Sequence, residues 1–351
     1  MLWTTYFVES WKRKENKIGD MWLMRDYEDP TTEREDFRAA LNIDKETLQT
    51  EKSSRVDTFN RQVYIGIPVS LFFIFAVIGT QIAMKMWQTS NTEEYGEKIP
   101  LELKFAPSMV NVGLIFFYGF IYKIIAEKLV SAENHRYQQT YEDSLINKMY
   151  MFQFINSYIS NYIIAYWVRD FAQLALNLVV ILVFKQVGMN LLEWAQDKMM
   201  IGRKLNKIKA QFAGELEKLD ANSKEHAHMK MHLHMEQQLV MAPASETLIY
   251  FYNEAIIQLG FITFFACVFP LAPLFSFLTN LLEIRIKLNR MSSYSRRFVA
   301  QGASGIGSWM GVMELISLVA IPINVAILLF TGRGADASGD FGYSETVNYL
   351  L

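Results

Sequence analysis

Three carboxylates set within long apolar runs are the first candidates for chemistry. Glu193 closes one such run, with Asn190 about a turn before it. Glu254 lies roughly two turns into a second run, and Glu283 near the far end of a third. A charge inside a bilayer costs roughly 2.5–3.5 kcal/mol on insertion scales, so each acid needs a partner or a purpose. If consecutive helices cross a membrane, all three fall in the same third of its depth, with Glu254 about 10 Å in from its helix start. Acids at one level on neighbouring helices suit a cation site built from hard oxygen ligands. They equally suit three separate glutamates that snorkel or pair near helix ends. Lys287 stands four residues after Glu283, on the same helix face. Its ammonium would repel a bound cation, or replace one by neutralising Glu254 and Glu283 directly.

A second group is polar rather than charged. Gln153, Asn156, Ser157, Ser160 and Asn161 recur at helical spacing, and Gln173, Asn177 and Lys185 follow in the next apolar run. Such a stripe fits the lining of a hydrated groove for ions or lipid headgroups. It fits interhelical hydrogen bonding as well. His226, His228, His232 and His234 cluster in a charged stretch, where His228 and His232 share a helix face, and a solvated helix is the expected reading. Gly307 and Gly311 form a GxxxG that reads as close helix packing. No phosphate loop, nucleophile elbow or catalytic triad pattern is present, so an enzyme is not expected.

The elements that must position these residues are membrane helices. Apolar residues make up 51% of the chain, and they come in blocks separated by charged stretches. Seven blocks have the length of a span: residues 62–86, 106–129, 146–167, 171–193, 247–268, 271–288 and 308–330. Tight turns at Arg169–Asp170 and at Pro270–Pro273 divide two pairs of them. Lys and Arg crowd the stretch before the first span, the segment 194–246 and the stretch around Arg290, Arg296 and Arg297, and they are sparse elsewhere. With alternating spans these basic segments share one side, which the positive-inside rule makes cytoplasmic. The expected class is an all-α polytopic transmembrane bundle. Residues 1–61 form a cytoplasmic segment with the remnant of a preceding span. Residues 62–330 form the transmembrane domain, with a cytoplasmic helical insert at 194–246, and 331–351 a disordered extracytoplasmic tail. A net charge of −2 gives no basic signature for nucleic acid, and the single cysteine, Cys267, precludes an internal disulfide.

Several strings coincide with one family. AENHRYQQTYEDSLINKMYMFQFINSY at 132–158, FKQVGMNLLE at 184–193, FYNEAIIQLGFITFFACVFPLAPLFSFLTNLLEIRIKL at 251–288, RRFVAQGASGIGSWMGVME at 296–314 and FVESWKRKENKIGDMW at 7–22 resemble anoctamin motifs, in the family's order. The hairpin around Pro270–Pro273 with its flanking acids is the most specific of these. On this resemblance the seven spans are similar to the family's third to ninth. The N-terminal domain, the first span, most of the second and the last span fall outside the match. The last span carries most of the family's dimer contact, so the resemblance leaves a homodimer without its main support.

The resemblance implies a calcium-gated groove facing the membrane. Glu193, Glu254 and Glu283 match acidic calcium ligands, and Asn190 approximates the family's asparagine. Phe251 stands where the first acid of the seventh-span pair belongs, and Lys287 where the last Asp of the eighth-span pair belongs. The implied calcium site is therefore degenerate, with control weakened or lost. The implied function is passive phospholipid scrambling through a groove bordered by Gln153, Asn156, Ser157, Ser160, Asn161, Gln173, Asn177 and Lys185. The alternatives are an anion channel carrying chloride through the same groove, and a non-conducting scaffold or tether. The membrane would be the plasma membrane or the endoplasmic reticulum.

Overall fold

A computed structural model describes residues 2–24, 27, 34, 37, 42–43, 50–51, 55–95, 101–185, 188, 191, 194–195, 197–216, 223–241, 244–297, 302–303 and 305–332. The helices are α1 (Leu2–Met21), α2 (Arg55–Arg61), α3 (Ile67–Tyr95), α4 (Leu101–Ala132), α5 (Gln138–Ile163), α6 (Phe171–Val180), α7 (Gly202–Leu216), α8 (Lys224–Val240), α9 (Ala244–Phe264), α10 (Ala272–Ser293) and α11 (Ser308–Gly332). π-helical turns at Gln62–Gly66, Ile164–Val168, Ile181–Lys185 and Asp197–Ile201 extend or link them. Among the described residues the only extended pairing is a short antiparallel ladder, Asn42–Ile43 with Thr50–Glu51. The fold is all-α.

The chain divides into two compact units. The first comprises residues 1–180, 255–270 and 302–351, and the second residues 181–254 and 271–301.

In the first unit α3, α4 and α5 pack on one another, and α11 packs against α1 and α5. Aromatic side chains fill the core. Tyr122 stacks on Phe152 with ring centroids 3.8 Å apart. Tyr158 is fully buried among Phe154, Phe261 and Phe264, and its hydroxyl donates to the Ile257 carbonyl at 2.6 Å. Gly260 makes this approach possible, because a Cβ there would run into the Tyr158 hydroxyl. The outward faces are apolar as well: Phe72, Phe75, Phe117, Phe120, Leu318 and Leu328 are all exposed. Water penalises so broad an apolar surface, whereas hydrocarbon does not. The α5–α6 turn is set locally. Arg169 adopts the left-handed conformation at φ +59°, and Asp170 Oδ1 accepts the Gln173 N–H at 3.0 Å to start α6.

In the second unit α7 and α8 pair as a helical hairpin. Ser223 caps α8 by accepting from the Glu225 and His226 amides at 3.0 and 3.3 Å. Arg296 donates to the Gln238 carbonyl at 3.1 Å, which ties the end of α8 to the stretch after α10. His232 rests against Phe212, with ring centroids 5.5 Å apart. Pro273 sits in the first turn of α10, where its missing N–H is no loss.

Every block expected to be a span carries helix. Three helical stretches are both long and apolar enough to cross a membrane: Thr58–Ser90, Ala106–Ala132 and Ser308–Thr331. Phe171–Phe184 and Leu248–Phe264 are shorter apolar helices. A polar stripe lowers the hydropathy of α5, and charges in its second half lower that of α10. At Gly307 and Gly311 a Cβ would meet nothing within 4 Å among the described residues, so the expected close packing on this GxxxG has no described neighbour.

Candidate functional site

The site is built on an inverted helix. Along α10 the buried positions include Ser276, Thr279 and Glu283, spaced at three and four residues, while Leu274, Phe277, Leu278, Leu281, Leu282 and Ile284 are exposed. A helix in water places these classes the other way round. Here the polar stripe faces the protein and the leucines face outward, as lipid requires. Lys287, one further turn along the same stripe, completes it.

Lys287 Nζ lies 3.0 Å from Glu254 Oε2 on α9 and 3.0 Å from Glu283 Oε2 on its own helix. All three side chains are largely shielded, at 15%, 24% and 9% exposure for Lys287, Glu254 and Glu283. The ammonium also stands 5.0 Å above the centre of the Phe251 ring, one turn before Glu254, and the Arg290 guanidinium lies 5.9 Å from the same ring. Two carboxylates, an ammonium and an aromatic face thus close on one another. The ammonium satisfies both acids, and the ring's negative face supports the cation from a third direction.

The polar stripe of α5 lies in the first unit. Asn156, Ser157, Ser160, Asn161 and Asn177 are buried, and Gln153 and Gln173 half-buried. Asn156 donates to the Ile115 carbonyl at 2.9 Å. A chain of amides crosses four helices: Gln81 donates to Asn111 at 2.9 Å, Asn111 to Ser160 at 2.8 Å, and Asn177 to Ser160 at 3.3 Å and Asn161 at 2.6 Å. Of the residues expected to border a groove, Ser160, Asn161 and Asn177 thus belong to a hydrogen-bonded seam joining α3, α4, α5 and α6. Gln81 and Asn111 belong to it although no stripe announces them. Asn190, Glu193 and the side chain of Lys185 lie outside the described residues.

A family model described as "Anoctamin: Calcium-activated chloride channel" matches residues 1–346. The chain belongs to the anoctamin family. It is 26% identical to Anoctamin-10 of Mus musculus over 370 residues, covering 100% of this chain and 52% of that protein. It is 26% identical to Anoctamin-10 of Homo sapiens over 347 residues, covering 93% of this chain and 49% of that protein. Anoctamin-7 of Rattus norvegicus is 28% identical over 358 residues, covering 94% of this chain and 41% of that protein. The chain thus spans about half the length of the curated relatives it matches. Family and apolar helices together make it an integral membrane protein.

The family's description includes calcium, so the donor set of this anoctamin can be tested against that ion. Ca²⁺ takes 6–8 oxygen ligands at about 2.3–2.6 Å. Among the described residues the converging oxygens come from Glu254 and Glu283, and an ammonium stands between them at hydrogen-bond distance. No group of three or more His, Cys, Asp or Glu arranged for a metal occurs among the described residues. As arranged, the described part of the set does not fit a divalent cation.

Proposed function

We propose that this anoctamin is a membrane transport protein that passes phospholipids between leaflets without an energy source. In this reading the amide seam of α3–α6 is the closed form of the polar path, and Lys287 stands in for the activating ion. The observation that carries the proposal is the bridge from Lys287 to Glu254 and Glu283 over Phe251. Both positions at which the chain departs from the family's acids, Phe251 and Lys287, meet there. One replacement supplies the positive charge and the other the surface on which it rests.

The energetics are compatible with a path that opens. A headgroup in hydrocarbon leaves its polar atoms unpaired, at several kcal/mol per group. A net amide hydrogen bond contributes only about 0.5–1.5 kcal/mol when its partners can bond elsewhere. Asn111, Asn161 and Asn177 can therefore exchange one another for water or a headgroup at small net cost. Control by calcium is weakened or lost, because the acids already have their counter-charge.

The seven-span path with a cytoplasmic N-terminus is part of the same proposal. It is supported by helix within each expected span, and by exposed Trp87 in the last third of α3 and Trp167 in the π-helical turn after α5, both of which the path puts towards the outer interface. Residues 1–61 and 194–246 are then cytoplasmic.

Reconstitution into liposomes tests the function. Fluorescent phospholipid should become fully accessible to external dithionite, with the same rate in calcium and in chelator. A bleaching plateau at half, with measurable chloride flux, would replace scrambling by an anion channel. Silence in both assays from folded protein would leave a scaffold.

A further inference from the structure

We infer that α8 carries a binding site for a soft monovalent metal ion, copper(I), built from alternating imidazoles and thioethers. The inference stands apart from transport: the site would take the ion whether or not the chain moves lipid. The sequence at 226–235 reads HAHMKMHLHM, and every His in it has a Met three residues away. Three residues is one step along a helix face. Each imidazole therefore has a thioether beside it, with Cβ atoms about 5–6 Å apart.

The structure makes this stretch helical and leaves it uncovered. No residue of α8 is buried. Its methionines therefore fill no core, which is the common use of that flexible side chain. His228, Met231, His232 and Met235 fall at i, i+3, i+4 and i+7, so they share one face of the helix. All four are exposed, Met231 at 62% and Met235 at 48%. Lys230 lies on the opposite side, and Lys224 stands one turn before His228. The His232 ring leans on Phe212 of α7. That contact restrains one ligand in advance, so it loses less freedom when an ion arrives.

The donors choose the ion. Calcium and magnesium take oxygen ligands, and this face offers none. A structural zinc site needs four closed ligands, usually His and Cys. Among the described residues no group of three or more His, Cys, Asp or Glu is arranged for a metal, so the imidazoles alone do not make one. The added donors are thioethers, which are soft and select copper(I), and imidazole suits copper as well. Both donor types are neutral, so the bound ion keeps its full charge. Arg203, Lys204, Lys207 and Lys209 are exposed on the adjoining α7. They repel a singly charged ion half as strongly as a doubly charged one.

Anaerobic titration of the full chain in detergent, carrying no histidine tag, tests this. Copper(I) is supplied as its coloured bicinchoninate complex, and the loss of colour reads transfer to the protein. The parent should withdraw copper(I) from the chelator. Met231→Leu with Met235→Leu keeps the face apolar but removes both thioethers. It should weaken copper(I) binding by about 10–100-fold, the scale on which a metal site responds to loss of one supporting contact. The same variant should leave the response to zinc unchanged. His228→Gln with His232→Gln should weaken both ions. Lys230→Gln, on the far side of the helix, and Cys267→Ser, which removes the single thiol, should keep the parent's copper(I) affinity. Thermal midpoints confirm that each variant is folded. No transfer to the parent, parent-like copper(I) affinity in the double leucine variant, or loss of binding in folded Cys267→Ser would overturn the proposal.

Discussion

The Glu254 carboxylate on α9 and the Lys287 ammonium on α10 form an ion pair at 3.0 Å, and Glu283 shares the same ammonium at the same distance. Removing the lysine leaves two shielded carboxylates facing each other. Breaking a buried pair by deleting one partner typically costs about 3–5 kcal/mol, whereas replacing all members by apolar groups is far milder. Lys287→Met should therefore lower the thermal midpoint in detergent markedly. The triple variant Lys287→Met, Glu254→Gln, Glu283→Gln should recover most of the loss. A single variant as stable as the parent would show that the triad carries no energy.

The same triad predicts a change of control. Lys287→Asp places three acids together and should make both stability and lipid transfer respond to millimolar calcium, whereas the proposed function expects no response from the parent. Thermal midpoints with calcium and with chelator check this without any transport assay. A Lys287→Asp protein that ignores calcium removes the stand-in reading.

Glu133 predicts a pH dependence. Burial would push its carboxyl up, but hydrogen bonds from His135, Lys148 and Ser144, together with the Lys148 charge, outweigh burial and hold it below the ordinary 4.5. The folded state thus favours the ionised form. Its contribution is complete above the unfolded value and is lost as pH falls below about 4.5 through the folded value. Glu133→Gln should be less stable than the parent at neutral pH, and the gap should close as the pH is lowered beneath that point. Thermal midpoints of both proteins between neutral and acid pH measure it.

Gly260 is a packing prediction. A methyl group there collides with the Tyr158 hydroxyl, which is fixed on the Ile257 carbonyl. Overpacking of this kind costs about 1–3 kcal/mol, so Gly260→Ala should lower the midpoint. Gly79→Ala, where a Cβ meets nothing within 4 Å, is the control.

Much of this was readable before any coordinates. The apolar blocks announced the helices because hydrocarbon demands length and hydropathy, and Arg169–Asp170 announced the α5–α6 turn. The Glu283–Lys287 pair was legible from the i, i+4 spacing on α10, whereas a bridge on to Glu254 was one of two alternatives that the sequence left open. The sequence did not reveal that Phe251 lies beneath the ammonium, because a phenylalanine in an apolar run carries no mark of its partner. It was equally silent on Gln81 and Asn111, single amides in apolar helices whose hydrogen bonds depend on which helices become neighbours. The hub at Glu133 was hidden for the same reason. Its motif was recognised by resemblance, but its bonds to Ser144 and Lys148 form only once α4 and α5 meet.

The inverted face of α10 bears on how the chain is made. A nascent helix carrying a lone glutamate resists leaving the insertion machinery for lipid. Lys287 travels on the same helix one turn behind Glu283, so the acid is compensated as soon as that turn winds. Glu254, on the earlier-made α9, meets its counter-charge only when α10 follows it.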